Sequence, residues 1–425
     1  MGQCRLQPVH SGTRLRAGPP LRSSRDFLLW QVSTAHFVSH LHIMTLPALL
    51  PLLPERLGVS FVELGVALGV FNVVSALAQA PLGFAVDRYG ARRILRLGLL
   101  AGGVAFLSLA IIPSYAWLLV AMAIAGVANG VYHPADYALL SSGIDEGRMG
   151  RAFSVHTFAG YAGAAVAPGL LLGMAAWAGT RGAFATAGVL GILAVFAVRP
   201  APTPVRHPVD GTAAPAGAPK PRVGAIALLT PAVLVLTLLF VFLNLANGAV
   251  QNFSVSALVS GYGIPLVVAN LGLSAFLFAS AFGVLAGGAL ADRSRHHGTV
   301  AAVALGVTAM LMLVVATTDV TGVPLVMILG VAGFLFGLIA PSRDMLVRAA
   351  SPKGAEGRVF GIVSTGFNIG GAAGPVLFGW LLDHGQARGI FWSAVVFMAG
   401  AMAISLAQER RARATAAQPT LHPGR

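Results

Sequence analysis

Ten long stretches of this chain contain no Asp, Glu, Lys or Arg, and their lengths indicate whether water or lipid surrounds the folded chain. They span residues 27–54, 64–86, 97–135, 152–180, 182–198, 223–291, 296–318, 320–342, 359–382 and 389–408. A transmembrane helix needs roughly 20 apolar residues in succession. The stretches 97–135 and 223–291 are each long enough for two helices, with breaks near Pro113 and at residues 261–265. The sequence therefore predicts twelve membrane-spanning α-helices.

The composition supports this prediction and excludes the other membrane architecture. Of the 425 residues 56% are hydrophobic and only 10% are charged, whereas soluble domains carry about 25% charged residues. The strands of a membrane β-barrel alternate apolar and polar side chains, and these stretches do not. We therefore expect an all-α integral membrane protein that is surrounded by the lipid bilayer.

The formal net charge of +14 is explained by membrane orientation rather than by nucleic-acid binding. With a cytoplasmic N-terminus, 25 of the 28 Lys and Arg residues fall in segments on the cytoplasmic side, and only Arg56, Arg181 and Arg388 fall outside. This distribution is the positive-inside bias of membrane proteins. It predicts that both termini are cytoplasmic and that the protein has no nucleic-acid partner.

A proline-rich segment divides the chain into two halves. Residues 199–222 contain seven prolines, a composition typical of a disordered linker. We therefore predict a cytoplasmic tail at 1–26, six helices at 27–198, a cytoplasmic linker at 199–225, six further helices at 226–408 and a cytoplasmic tail at 409–425.

The two halves repeat each other in sequence. The letters GFAVDR at 83–88 recur as GALADR at 288–293. Further matches share a constant offset of 207 positions: Gly130 with Gly337, Pro134 with Pro341, Arg151 with Arg358, Gly163 with Gly370, and Pro168 with Pro375. Agreement at so many Gly, Pro and Arg positions indicates two parallel structural repeats.

The segment GFAVDRYGARR at 83–93 resembles the signature G-x-x-x-D-R-x-G-x-R-R of the major facilitator superfamily, although its second copy is degenerate. The resemblance covers residues 27–408 and implies two six-helix bundles that rock about a central cavity. In this loop we expect Gly83 to permit close helix contact and Gly90 to permit a tight turn. The predicted conformational latch consists of Gly83, Asp87, Arg88, Gly90, Arg92, Arg93 and Asp136, with Asp292 and Arg293 in the second half.

Three further elements resemble exporters of the same superfamily. The letters YHPAD at 132–136 and LPALLPLLP at 46–54 are similar to the fosmidomycin-resistance branch. The letters GAAVAP at 163–168 resemble the fifth-helix motif of antiporters, with Ala167 where glycine is usual. Because a similar pattern recurs at 370–375, close packing of helices explains that motif equally well. Together the elements favour drug or metabolite efflux.

Three histidines lie within eight residues of the first predicted helix, where burial in lipid is costly. His36 and His40 are four residues apart and share a face, whereas His42 faces elsewhere. His133 on the fourth helix lies at a similar depth, so we expect it to meet His36. Because histidine titrates near physiological pH, we predict that His36, His40 and His133 carry the coupling proton or bind an anionic substrate. The alternative is that they are neutral donors that join helices.

Two further ionisable residues and one polar face complete the candidates. Asp136 is expected to pair with Arg92 in the latch, with proton transfer as the alternative, and His156 is the weakest histidine candidate. A face of the seventh predicted helix carries Asn244, Asn247 and Gln251. Amides bind substrates without charge but also join helices, and we predict that these three line the cavity.

No motif for enzymatic chemistry is present. The sequence contains neither a phosphate-binding loop nor Cys/His metal spacing, and the pair His36 and His40 lacks the acidic residue of a zinc-protease helix. We therefore expect no enzyme, no metal and no cofactor, with a proton gradient as the energy source. The predicted function is proton-coupled efflux of a small organic compound by a monomer in the bacterial inner membrane. The alternatives are a symporter that imports an organic acid or sugar, and a membrane sensor or assembly factor that does not transport.

Overall fold

The computed structural model describes residues 21–199, 229–294, 296–352 and 356–417. Within these residues every regular element is a helix. The predicted N-terminal tail and linker lie almost wholly outside the described residues, and so does the end of the C-terminal tail. The first helix begins at Leu21, and the last continues to Ala417, beyond the predicted boundary at 408.

The helices follow one another without intervening strands in the described residues. In chain order they are α1 (Leu21–Ile43), α2 (Thr45–Leu49), a short 3-10 turn (Leu50–Leu52), α3 (Leu53–Leu57), α4 (Phe61–Tyr89), α5 (Ala91–Ile111), α6 (Tyr115–Gly143), α7 (Glu146–Ala197), α8 (Pro231–Tyr262), α9 (Leu266–Arg293), α10 (His297–Thr317), α11 (Gly322–Ala350), α12 (Glu356–Asp383) and α13 (Arg388–Ala417).

Most of these helices are suited to a membrane. In the described part of the chain ten are long and apolar enough to cross one, and an eleventh candidate joins Asp26–Ile43 to Thr45–Leu57 across a 41° bend. The longest helix, α7, consists of two helices that meet at Ala178 and Gly179, where the backbone angles are not helical. Gly179 has a φ of +70°, a conformation that side chains with a Cβ rarely adopt.

Prolines explain why the first span is broken. Pro51 and Pro54 are the second residues of the 3-10 turn and of α3, within the first turn, where a residue without a backbone N–H is tolerated. Thr45 donates from its hydroxyl to the carbonyl of Leu41, at 2.9 Å. The segment is buried and contacts α7 and α8, so it contributes to the contact between the two halves.

The helices pack as two groups that correspond to the two sequence halves. In the first group α7 packs on α1 and α5, and α6 packs on α4 and α5. In the second group α11 packs on α9 and α10, while α8 and α10 pack on α13 and α12 packs on α8. The main contacts between the groups are α4 with α12 and α7 with α9. The repeat relates α4 to α9 at an offset of 205 and the start of α7 to α12 at an offset of 207, so these two contacts are equivalent.

The groups touch closely where α4 begins and α12 ends. A Cβ at Gly65 would lie 2.3 Å from the carbonyl oxygen of Pro375, so only glycine permits this crossing. The backbone N–H groups of Phe61 and Val62 each donate to the carboxylate of Asp383, at 2.8 Å. We call these two hydrogen bonds the clasp, and the side of the protein on which they lie the clasp end.

The opposite side of the protein holds an open cavity between the groups. We call this side the loop end, because it contains the segment 83–93. A cavity of about 450 Å³ lies between α7 and α9 and is lined by Phe153, Ser154, Thr157, Phe158, Tyr161, Ala281, Val284, Leu285, Gly288, Ala289, Asp292 and Pro341. The interface between the halves is therefore closed at the clasp end and open at the loop end.

Candidate functional site

Four histidines of the first half meet around one ring. The ring centroid of His36 lies 3.8 Å from that of His156, 4.6 Å from that of His40 and 5.7 Å from that of His133. They come from α1, α6 and α7, which pack against one another. We call these four residues together with Asp136 the histidine cluster.

Asp136 is the most buried charged group of this cluster. Its side chain is fully buried, and its Oδ2 lies 3.3 Å from Nδ1 of His36 and 3.7 Å from Nε2 of His156. Among the described residues neither of its carboxylate oxygens accepts a hydrogen bond. An isolated carboxylate in an apolar interior is strongly unfavourable, so this group needs a proton of its own or a protonated imidazole beside it.

Local sequence explains how the rings fit between the helices. A Cβ at Gly160 would lie 2.6 Å from Cδ2 of His36 and 3.0 Å from Cδ2 of His40. A Cβ at Gly163 would lie 2.0 Å from the carbonyl oxygen of Phe37. These two glycines therefore let α7 approach α1 closely and leave room for two imidazoles.

The cluster extends from the interior towards open space. His36 and His156 are buried, His40 is half-buried and His133 is exposed. Tyr137, one position after Asp136, is also exposed and lies 6.0 Å from His133 between ring centroids. A row of titratable side chains thus runs from the buried carboxylate to the exposed His133 and Tyr137.

The structure brings His36 and His133 together, as we predicted from their similar depth in the membrane, and His40 lies beside His36 on the same face of α1. His156, the weakest histidine candidate in the sequence, lies closest to His36. The expected pairing of Asp136 with Arg92 in the latch is wrong in this conformation, because its carboxylate faces the histidines. Helical spacing already relates His133 to Asp136, but the partners on α1 and α7 depend on how the helices cross.

His42 is separate from the cluster, in agreement with its place on another face of α1. Its Nε2 lies 3.0 Å from the carbonyl oxygen of Ala187, and its ring packs on that of Phe106. Cβ atoms at Gly102 and Gly191 would lie within 3 Å of the imidazole. This histidine therefore joins helices and fills a tight space.

Three atoms of the cluster are placed so that they could hold a metal ion. Nδ1 of His36, Oδ2 of Asp136 and Nε2 of His156 all lie within 4.8 Å of one another. Two imidazoles and a carboxylate are a ligand set that zinc accepts, with a fourth position left open. The geometry alone therefore allows either a proton or a metal ion at this place.

The predicted amide face of α8 forms a separate polar region. Asn244, Asn247 and Gln251 are half-buried, and Oδ1 of Asn247 is buried without a hydrogen bond in the described residues. Asn244 contacts α12 closely, because a Cβ at Gly370 would lie 2.9 Å from its Cβ. None of the described contacts joins these amides to the histidine cluster.

The predicted latch residues lie at the loop end. Arg92 donates from Nη1 to Oε1 of Gln31 at 2.6 Å and to the carbonyl of Arg199 at 3.2 Å. Gly90 has a φ of +92°, which agrees with the predicted tight turn. A Cβ at Gly83 would meet no atom within 4 Å, so the expected close helix contact at this glycine is wrong.

The remaining latch candidates are exposed in this conformation. They are Asp87, Arg88 and Arg93 in the first half and Asp292 and Arg293 in the second. Arg88 lies over the ring of Tyr89, with 5.4 Å from its Cζ to the ring centroid. A latch function for this group stays a prediction.

An all-helical chain with two repeated halves around a cavity open at one end has the architecture of a multi-pass membrane transporter. The family model of the Major Facilitator Superfamily matches residues 32–269 and 237–422. The chain belongs to this superfamily, as the signature at 83–93 predicted, and it is a transporter rather than an enzyme.

Curated relatives and solved structures agree with this assignment. The fosmidomycin resistance protein of Escherichia coli (strain K12) is 26% identical over 372 residues, with 84% of this chain and 86% of the relative covered. The chloramphenicol resistance protein of Streptomyces lividans is 29% identical over 371 residues, with 85% and 90% covered. A bacterial homolog of the human lysosomal transporter Spinster, in an inward-facing and occupied conformation, has the same fold: the TM-score is 0.71 at 16% identity, with 93% of this chain and 98% of that one covered.

Proposed function

We propose that this protein is a proton-coupled secondary transporter that exports a small organic compound by alternating access. The observation that carries the proposal is the fully buried Asp136 between His36 and His156. A carboxylate without hydrogen bonds is stable there only with a proton, held either on itself or on a neighbouring imidazole. Release of that proton would make the site unfavourable until the conformation changes, which couples proton movement to transport.

The arrangement in the membrane supports the same proposal. With the break in α7 and the bent first span each counted, the chain crosses the bilayer twelve times. The positive-inside bias then places both termini and the loop end in the cytoplasm. The cavity between α7 and α9 consequently faces inward, and the clasp lies on the outer side of a bacterial inner membrane, with the protein as a monomer.

Export is favoured by the names of two relatives that match most of the chain. These relatives are resistance proteins for fosmidomycin and for chloramphenicol. Import of an organic acid is the second candidate. Its substrate class is supported by a probable sulfoacetate transporter of Cupriavidus necator, which is 25% identical over 395 residues. A probable L-galactonate transporter of Escherichia coli (strain K12) matches a shorter part, at 30% identity over 138 residues.

A proton-release assay tests the proposal directly. Inverted membrane vesicles are energised by respiration, loaded with a pH dye and given fosmidomycin, chloramphenicol, sulfoacetate or L-galactonate. We expect at least one compound to release protons through the wild type. Asp136→Asn should abolish this release, and His36→Ala, His133→Ala and His156→Ala should each reduce it by about tenfold or more.

His384→Ala is the matched control, because this histidine is exposed and lies at the clasp end. It should behave as the wild type. Normal proton release by all four cluster variants would make the histidines structural and refute the coupling site. One equivalent of zinc in the purified protein, lost in His156→Ala, would instead assign the same atoms to a metal ion.

A further inference from the structure

Arg343 on α11 is the repeat equivalent of Asp136 on α6, at the constant offset of 207 positions. Counting of charges placed this arginine in a cytoplasmic segment. The structure instead packs its side chain among the helices of the second half, with 18% of its surface exposed. A charge held in this way within a membrane protein calls for a functional explanation.

Two aromatic rings hold the guanidinium group. Cζ of Arg343 lies 4.8 Å from the ring centroid of Phe240 and 5.0 Å from that of Phe367. The two rings are themselves 4.6 Å apart between centroids. Stacking against aromatic faces is favourable for a guanidinium and fixes the orientation of its plane.

Comparison of equivalent repeat positions shows how the two halves of the protein differ at this place. Phe367 is the repeat equivalent of Gly160, the glycine that leaves room for His36 and His40 in the first half. In the second half the ring of Phe367 fills the corresponding space, and Arg343 takes the place of Asp136. The first half thus presents a carboxylate among imidazoles, whereas the second presents a cation on an aromatic support.

Asp344, the next residue in the sequence, uses only part of the hydrogen-bonding capacity of the Arg343 guanidinium. Nε of Arg343 donates to Oδ1 of Asp344 at 2.9 Å, and Nη2 lies 2.9 Å from the same oxygen. Within the described residues Nη1 has no hydrogen-bond partner, although a guanidinium offers five N–H donors in all. A second anion can therefore bind to the remaining edge.

Arg343 lies near the cavity between the two halves. Pro341, two residues earlier on α11, lines the cavity, and Tyr161 lines it from α7. Tyr161 interacts electrostatically with both Arg343 and Asp344. The arginine is therefore next to the space that a transported compound would enter from the loop end.

We propose that Arg343, held by Phe240 and Phe367, binds an oxyanion group of the transported compound, so that the substrate is a small organic anion. A carboxylate, sulfonate or phosphonate has the geometry for a forked contact with a guanidinium. Asp344 serves as the counter-ion while the site is empty and is displaced by the substrate. The inference rests on the proposed function, because it assigns the substrate class to that transport cavity.

Binding to the purified full-length protein tests this inference without any ion gradient. Thermal unfolding is recorded with sulfoacetate, L-galactonate or methylphosphonate, each against sodium chloride of equal ionic strength, and with neutral chloramphenicol. We expect at least one organic anion to raise the unfolding temperature of the wild type, and Arg343→Gln to lose this effect. Arg343→Lys should weaken binding by about tenfold, because the ammonium group lacks the planar fork.

Asp344→Asn should change the affinity for the anion in the opposite direction. It removes the competing carboxylate and should tighten anion binding severalfold, a result that a misfolded protein cannot give. Arg348→Gln, five residues further along α11 and exposed, is the matched control and should bind as the wild type. Equal protection of the wild type and Arg343→Gln would overturn the inference, and so would protection by none of the three anions.

The two experiments together distinguish failure of the anion site from failure of the proposed transport function. Proton release with a neutral drug, together with no anion binding, would leave the transporter proposal standing and refute the anion site. Anion binding that depends on Arg343, together with no proton release in vesicles, would support the anion site and refute proton coupling.

Discussion

At the scale of single residues, Asp136 has an unusual environment for a carboxylate. It is fully buried, its nearest partners are two imidazoles, and in the described residues it accepts no hydrogen bond. Removing a charge from water costs several kcal/mol even after relaxation of the protein. Retention of such a group is understandable when its protonation is part of the working cycle.

This view makes a prediction about stability as well as transport. Asp136→Asn replaces a group that needs a proton by a neutral amide of nearly the same shape. We expect the purified variant to unfold at the same temperature as the wild type or a few degrees higher, a gain of about 1 kcal/mol. The unfolding temperature can be followed by tryptophan fluorescence in detergent.

A fall of the unfolding temperature would contradict this prediction. It would mean that Asp136 forms a favourable ion pair with His36 or His156 that outweighs its desolvation. His42→Ala serves as a comparison. It removes the hydrogen bond with Ala187 and the packing on Phe106 but no ion pair, and it should lower the unfolding temperature.

At the scale of elements, α4 and α12 cross closely at Gly65. α4 and α9 align at an offset of 205 positions, as in Gly83 with Gly288, so Gly65 has no glycine counterpart there. Gly272 on α9 faces a side chain of α11 and serves as a comparison. A Cβ at Gly65 would lie 2.3 Å from a backbone oxygen, that of Pro375, whereas a Cβ at Gly272 would lie 2.6 Å from Cδ1 of Leu329. A side-chain end can rotate away, but a helix backbone cannot.

The pair provides a matched test of helix packing. Gly65→Ala must separate α4 from α12, so we expect it to destabilise the protein by about 1–3 kcal/mol. Gly272→Ala should have a smaller effect, because Leu329 can change its rotamer. Thermal unfolding of the two variants measures the difference, and equal losses of stability would show that the crossing at Gly65 is not the tighter one.

The repeat itself was predictable from sequence, and the closeness of the crossing at Gly65 was not. Gly65 and Gly272 both lie in long apolar helices, and their local sequences do not distinguish them. The distance between two helix backbones depends on all the side chains along the crossing, which no local pattern records. The same holds for Gly83, whose expected close contact is absent although its spacing fits the signature.

At the scale of the whole molecule, the clasp connects the two halves at one end only. Asp383 at the end of α12 accepts hydrogen bonds from the first N–H groups of α4, at Phe61 and Val62. A negative charge at a helix N-terminus is favourable by about 0.3–1 kcal/mol, and more when it also accepts hydrogen bonds. The clasp should therefore favour the conformation that is closed at this end.

Loss of the clasp should shift the population of conformations. We predict that Asp383→Asn increases the share of molecules that are open at the clasp end by about tenfold, which corresponds to ~1.4 kcal/mol. Spin labels at the exposed positions Glu55 and Gln386, in a Cys4→Ser background, report this opening as a longer distance. An unchanged distance distribution would show that glycine packing alone closes this end.

The sequence by itself determined that this is a membrane protein, that its two halves are repeats, and to which family it belongs. Charge-free stretches, the offset between halves and the signature at 83–93 are local or periodic features, so they can be read without coordinates. It also placed His36 and His133 at a similar depth and His40 on the same helix face as His36. Only the tertiary structure decided which polar groups meet, because Asp136 joins His36 and His156, and Arg343 joins Phe240 and Phe367, across helices far apart in sequence. Helical periodicity defines the face of a side chain on its own helix, whereas the angle and distance at which helices cross define its partners.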